Sequence, residues 1–291
     1  MWRTISLKSN STLKAGGTMN CILIRYGEIG TKSNRTRRWW EKLFMGNIAD
    51  ALKTNNITYS LIENPRGRII VYTSNERAIH VLKHVFGISS MSFAKEIELD
   101  LFRMKEEALA LYREEKPGTF RISTQRLNKK YSLTSQEVNA AVGEYIVKAE
   151  NAEVNLGYPD IDIGIEILFN AAYVFTGRMR GHGGIPVGVQ GKVQVELFSK
   201  RAAVAAWTML KRGCTLAVYG DKKFLKYLKP FSYGQPIEHV PHRKKAKQCL
   251  AEVFCELDIK KREIPSFYPL LGLDKQKIQE IEAAIFESDI E

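Results

Sequence analysis

Along this chain the spacing of apolar residues switches repeatedly between two and three-to-four, and each switch marks an element. Cys21 to Arg25 reads as a short strand. From Asn34, the residues Trp40, Leu43, Phe44, Ile48 and Leu52 recur at helical spacing, which predicts a helix with one apolar face. Strands are expected at Ile57 to Ile62 and at Arg68 to Tyr72, joined by the turn signal Asn-Pro-Arg-Gly. A second module begins near Glu76, with a helix over "NERAIHVLKHVFG", a strand over "SSMSFAKEI" and a helix from Phe102 to Glu115. "GTFRIST" is a further strand, and Thr134 with Glu137 forms a capping box for a helix from Ser135 to Ala149. "IDIGIEILF" alternates, placing Ile161, Ile163, Ile165, Ile167 and Phe169 on one face, and "AAYVFTGRMR" pairs back on it. The pattern predicts a mixed sheet with helices on one side.

"RGHGGIPVG" is rich in glycine and proline and reads as the linker to a third module. That module opens with "GKVQVELFSKRAAVAAWTMLKRG", a strand, a tight loop and a helix. It continues through the strand "CTLAVYG", the basic segment Lys222 to Lys229, a helix expected around Ala246 to Leu257, and the closing "FYPLLGLDKQKIQEIEAAI". A strand–loop–helix at this place is where an α/β domain holds phosphates, and such loops need glycine so that backbone N–H groups approach closely. Here the turn is "LFSKRA", without one glycine.

Charge changes the picture next. Of 291 residues, 44 are Lys or Arg and 32 Asp or Glu, a net +12, which points to a polyanionic partner, nucleic acid before membrane, against the plain alternative of a basic soluble surface. No apolar run approaches the roughly 18–20 residues of a membrane span. Cys21, Cys214, Cys249 and Cys255 show no Cys-x-x-Cys spacing, so zinc, redox-pair and disulfide frameworks lack support, and reduced thiols fit a cytoplasmic protein. Cys21 and Cys214 are expected as buried small hydrophobes, and Cys249 and Cys255 on different faces of one helix. Residues 1–18 are basic, rich in Ser and Thr, and free of acid. They are expected to be a disordered or untranslated leader, with Met19 as the working start, and are set aside.

Three stretches together carry a resemblance. "RYGEIGTKSNR" (Arg25 to Arg35) resembles the opening motif of the tRNA 4-thiouridine synthetase, or tRNA sulfurtransferase, family. "FRISTQRLNKKYSLTSQEVNAAVGEYI" resembles that family's THUMP domain, a small RNA-binding module. "AYVFTGRMRGHGGIPVGVQGKV" resembles the passage from THUMP into its ATP pyrophosphatase domain, and "YPLLGLDKQKI" a motif near that domain's end. The resemblance implies an α/β and α+β multidomain protein. An N-terminal ferredoxin-like domain is expected over 19–75, a THUMP domain over 76–185 and a shortened PP-loop domain, like the adenine nucleotide alpha hydrolases, over 186–291. It further implies tRNA bound by its acceptor stem and 3′ end, and ATP used to adenylate a uridine before sulfur transfer. Family enzymes carry Ser-Gly-Gly-x-Asp-Ser in the loop, where this chain has Leu197, Phe198, Ser199, Lys200, Arg201 and Ala202. The expectation is therefore a tRNA-binding member with a degenerate PP-loop and no cofactor. ATP would enter only with a divergent site in an active sulfurtransferase. Further expected partners are a separate thiolation enzyme or a second copy; an interaction scaffold is the reading from another class.

On that basis the candidate RNA contacts are Arg25, Lys32, Asn34, Arg35 and Arg38, then Arg121, Arg126, Lys129 and Lys130, then Arg178 and Arg180. For the first two groups the plain alternative is a solvated surface charge; for Arg178 and Arg180 it is that Gly181, Gly183 and Gly184 serve only the backbone turn. Tyr131 offers either a stacking surface or a core anchor. Ser199, Lys200 and Arg201 form a candidate anion site, because two cations at a helix N-terminus oppose the macrodipole unless an anion sits there. His182 and His242 read as surface histidines. Trp39 and Trp40, being adjacent, cannot share one helix face.

Overall fold

The computed structural model describes residues 18–65, 67–242, 248–257 and 264–287. In chain order the elements are β1 (Met19–Arg25), α1 (Asn34–Thr54), β2 (Leu61–Glu63), β3 (Ile69–Tyr72), α2 (Arg77–Leu82), β4 (Ser90–Glu98), α3 (Leu101–Glu115), β5 (Thr119–Arg126) and α4 (Ser135–Glu150). Then follow β6 (Glu153–Val154), β7 (Ile161–Ile167), β8 (Ala171–Thr176), β9 (Met179–Arg180), β10 (Lys192–Leu197), α5 (Lys200–Lys211), β11 (Thr215–Gly220), α6 (Leu225–Leu228), β12 (Glu238–His239), β13 (Ala251–Val253), β14 (Ser266–Phe267) and α7 (Lys275–Phe286). They divide into two compact units that interleave in sequence. One comprises the described residues of Met1–Arg25, Thr58–Ile79 and Ser90–Met179; the other, those of Tyr26–Ile57, His80–Ser89 and Arg180–Glu291.

The first unit is built on a sheet of order β2-β3-β1-β4-β8-β7-β5-β6. Its β2-β3-β1-β4 part is antiparallel throughout, and β5 runs parallel to both β7 and β6. Ile163, Ile165 and Ile167 of β7 pack with Val138, Val142 and Ile146 of α4 and Met104 and Ala108 of α3, so odd positions of β7 face the helices, as the alternation predicts. Phe169 lies beyond the strand end and is exposed. The opposite face holds a second core of Cys21, Leu23, Ile70, Tyr72, Ala94, Tyr173 and Phe175. Arg68, one residue before β3, donates from Nη2 to Gln125 Oε1 of β5 at 3.1 Å. Five strand steps separate β3 from β5, about 24 Å in a flat sheet. The sheet therefore curls until its flanks meet, and the second core fills the curl.

The second unit contains a parallel sheet of order β12-β11-β10-β13-β14. Val193, Val195, Leu197, Leu216, Val218, Ala251 and Val253 form its core with the apolar run of α5 and with Ile278, Ile281 and Ile285 of α7. α1 belongs to this unit: Asn47 Nδ2 donates to Val187 O at 3.0 Å and Asn55 Nδ2 to the Tyr233 hydroxyl at 2.9 Å. Gly234 N donates to Asp50 Oδ2 at 2.6 Å. Gly234 has φ of 73°, and a Cβ there would meet Asn47 Oδ1 at 2.3 Å, so only glycine fits this approach.

Two expectations change. The helix expected around Ala246 to Leu257 is replaced, over its described part, by β13, whose three residues are buried beside β10; residues 246 and 247 lie outside the described residues. A short, wholly buried parallel strand shows no alternation and imitates a helical apolar run. Cys249 and Cys255 consequently flank a strand. The first strand of the "NPRG" pair begins at Leu61, later than the apolar pattern suggested. Cys21 and Cys214 are buried, as expected, and burial pushes the Cys214 thiol up to about 11. Residues 1–17 of the leader, and 243–247 of the basic segment after His242, lie outside the described residues.

Candidate nucleic-acid interface

The N-terminus of α1 presents the first group of cations. Ser33 caps the helix through its side chain, which accepts from Thr36 N. No acidic residue lies in the first turn. Asn34 Oδ1 accepts from Arg37 Nη2 at 3.0 Å, and Lys32 Nζ lies 5.1 Å from the centre of the buried Trp40 ring. Arg35 and Arg38 are exposed, and among the described residues neither has an ion-pair partner. Trp39 is 51% exposed while Trp40 is buried, as their adjacency demands.

The loop after β5 carries the second group. Arg126 donates from Nη1 to the carbonyls of Tyr131 and Leu133, at 3.0 and 2.5 Å, so its guanidinium shapes its own loop. The loop thereby holds Lys129 and Lys130 exposed at its tip. Tyr131 packs against the helix-side core, in favour of the anchor reading, and burial raises its pKa. Arg121 is engaged by Asp162 Oδ2 at 2.6 Å and the Leu156 carbonyl at 3.1 Å.

Arg25 is corrected. It is 6% exposed and points into the curl of the sheet, where Nε donates to Glu166 Oε1 at 2.5 Å and Nη1 to Ser92 Oγ at 3.1 Å. Phe175 lies beneath its guanidinium at 4.8 Å. Arg68 takes the other carboxylate oxygen of Glu166, Nε to Oε2, at 2.6 Å. Arg178 stands 3.9 Å from Oε1 with half of its side chain exposed. One buried carboxylate thus faces three guanidinium groups. Burial, with the charges of Arg178 and Arg68, lowers the Arg25 pKa despite the opposing pull of Glu166. Arg25 is consequently a structural residue, and Arg178 is the member of the cluster open to solvent. Arg180, in the other unit, is exposed.

A ThiI ferredoxin-like domain model matches residues 21–92, and a THUMP domain model matches residues 98–176. The chain is 41% identical to a probable tRNA sulfurtransferase of Thermococcus kodakarensis, over 75% of this chain and 62% of that protein. The crystal structure of PH1313 from Pyrococcus horikoshii superposes with a TM-score of 0.80 at 35% identity, covering 91% of this chain and 98% of the other. The chain belongs to the ThiI-like tRNA sulfurtransferase family. A crystal structure of a 4-thiouridine synthetase–RNA complex with bound ATP shares the fold, with a TM-score of 0.71 over 92% of this chain and 87% of that one, at 22% identity. The chain spans between half and about 62% of the length of the first curated relatives it matches.

In this family member the strand–loop–helix of the C-terminal unit is β10 and α5. Ser199 caps α5, accepting from Ala202 N at 3.1 Å. None of residues 197–202 has a positive φ, so the loop adopts no conformation that calls for glycine. Lys200 Nζ lies 5.1 Å from the Phe286 ring, and Arg201 Nε donates to the Cys255 carbonyl at 3.3 Å.

His182 is also corrected. It is half-buried among Phe86, Trp207, Phe231 and His84, with ring centres 5.4–6.2 Å away, and burial lowers its pKa to about 4. Sequence reasoning missed Glu166, Arg68 and Gly164. The available signal was a charged residue in the interior of "IDIGIEI". A Cβ at Gly164 would lie 2.2 Å from the Phe175 ring, so the glycine makes room for the ring that supports Arg25.

Proposed function

We propose that this chain binds tRNA at its acceptor stem and 3′ end in support of uridine thiolation, without ATP chemistry of its own. The observation that carries the reading is the set of exposed cations without ion-pair partners among the described residues: Arg35 and Arg38 on the ferredoxin-like segment, Lys129 and Lys130 on the THUMP segment, and Arg180 after it. Phosphate contacts position an A-form stem whose major-groove edges are out of reach. A fold neighbour solved with RNA supports the reading at the level of fold. The absence of any glycine-type backbone in the Ser199 loop supports the second half of the proposal.

Binding of an acceptor-stem minihelix, followed across a salt series, tests the first half. Each neutralised phosphate contributes about −0.7 to −0.9 to the log–log slope. The Lys129→Ala/Lys130→Ala and Arg35→Ala/Arg38→Ala double variants should each weaken binding and flatten the slope by roughly one to two units. Unchanged affinity and slope in both variants would sink the assignment. The second half fails if the purified chain with ATP and a sulfur donor forms thiouridine in tRNA.

A further inference from the structure

We propose that the C-terminal unit holds a second ligand site, a cavity that takes a small organic anion with an apolar body. The cavity measures about 760 Å³, within the roughly 300–1,000 Å³ of small-molecule sites. It lies where the strands of the parallel sheet begin: Gln190 and Val193 precede and open β10, Cys214 precedes β11, and Leu250 precedes β13. The Ser199 loop is at the other end of β10, about 16 Å along the strand. The site is therefore separate from the position of a PP-loop, and it does not depend on the RNA reading.

The lining combines an apolar wall, including Ile185, Met209 and Ile281, with donors that have no acceptor. Trp207 is 3% exposed, and its Nε1, which can only donate, has no hydrogen-bond partner among the described residues. Lys211, one turn further along α5, sets its ammonium 5.4 Å from the same indole ring and has no ion-pair partner among the described residues. The adjacent Arg212 also lines the cavity and is likewise unpaired. The charges facing Lys211 are Lys277, which is bound to Glu280 Oε2 at 2.5 Å, and Glu28, the single acid in the lining. Burial and the charge of Lys277 lower the Lys211 pKa, the direction expected of a cation lacking its counter-ion. An anionic group beside Lys211 and Arg212 would supply the counter-ion that both lack, while the wall covers an apolar body.

The test uses the full chain and two fluorescent probes of matched shape. These are 8-anilinonaphthalene-1-sulfonate, which carries the anion, and N-phenyl-1-naphthylamine, which does not. The sulfonate should saturate one site, and decanoate should displace it. Lys211→Ala and Lys211→Gln should each weaken the sulfonate at least tenfold and leave the neutral probe within twofold. Lys222→Ala, outside the cavity, should change neither probe. Equal losses for both probes, no loss in either Lys211 variant, or exclusion of the sulfonate by dimerisation of the chain would overturn the proposal.

Discussion

Replacing Glu166 tests the account of how the first unit is held together. The carboxylate is 1% exposed and bonds Arg25 and Arg68, themselves 6% and 9% exposed, with one oxygen each. Taking one partner from a buried ion pair costs about 3–5 kcal/mol, because the remaining charge is left uncompensated. Glu166→Ala leaves two such charges, with the Arg25 Nη2 atom already lacking a partner. The expected loss is therefore at or above the top of that range, a large fraction of the 5–15 kcal/mol that stabilises an ordinary domain. Glu166→Gln keeps one acceptor oxygen and should fall between wild type and Ala. Arg178→Ala should cost no more than about 1 kcal/mol, since that side chain is half exposed and 3.9 Å away. Urea denaturation followed by circular dichroism measures all three. The Glu166→Leu/Arg25→Met/Arg68→Met variant should recover much of the loss, as apolar replacements of buried ion pairs do. A Glu166→Ala protein within about 1 kcal/mol of wild type would show that the ion cluster does not hold the curl, and the reasoning would fail.

Gly164→Ala should cost about 1–3 kcal/mol, because its Cβ displaces the Phe175 ring from beneath Arg25; thermal melts would show it, and an unchanged midpoint would contradict the close packing. His182 makes the C-terminal unit acid-sensitive. Its pKa of about 4 in the folded chain lies below the ordinary 6.5, so its contribution is complete above pH 6.5 and is lost as pH falls towards 4. The loss is up to about 3 kcal/mol. Denaturation midpoints at pH 7 and pH 4.5 should converge in His182→Phe, although His84, shifted the same way by burial, retains part of the slope.

How far the sequence reached depended on the separation of the partners. The Thr134–Glu137 capping box was legible because both members lie within one turn: Thr134 Oγ1 accepts from Glu137 N at 3.2 Å, and Glu137 Oε2 from Thr134 N at 2.6 Å. The opposite fates of Trp39 and Trp40 follow from helical spacing alone. Arg25 was misread because its partner is 141 residues away, and a motif position carries no record of such a contact. His182 sits in a glycine-rich turn that reads as surface, and the rings that cover it come from three separate segments. β13 was lost because three wholly buried residues have no periodicity to detect.

The arginine cluster also shows how one carboxylate divides cations between the scaffold and the solvent-facing surface. Both oxygens of Glu166 are taken at 2.5 and 2.6 Å by the guanidinium groups of Arg25 and Arg68. Arg178, third in line at 3.9 Å, is attracted without being neutralised, and its half-exposed side chain stands in high dielectric, where such a pair is worth at most about 1 kcal/mol. Three cations on one anion leave an excess positive charge at the turn after β8. A phosphate arriving from solvent competes there with a weak, distant partner, whereas at Arg25 or Arg68 it would have to break a buried bond. Sequence alone ranks Arg25 with Arg178 as RNA contacts and passes over Arg68. The geometry makes two of the three arginines part of the scaffold and leaves the third open to solvent.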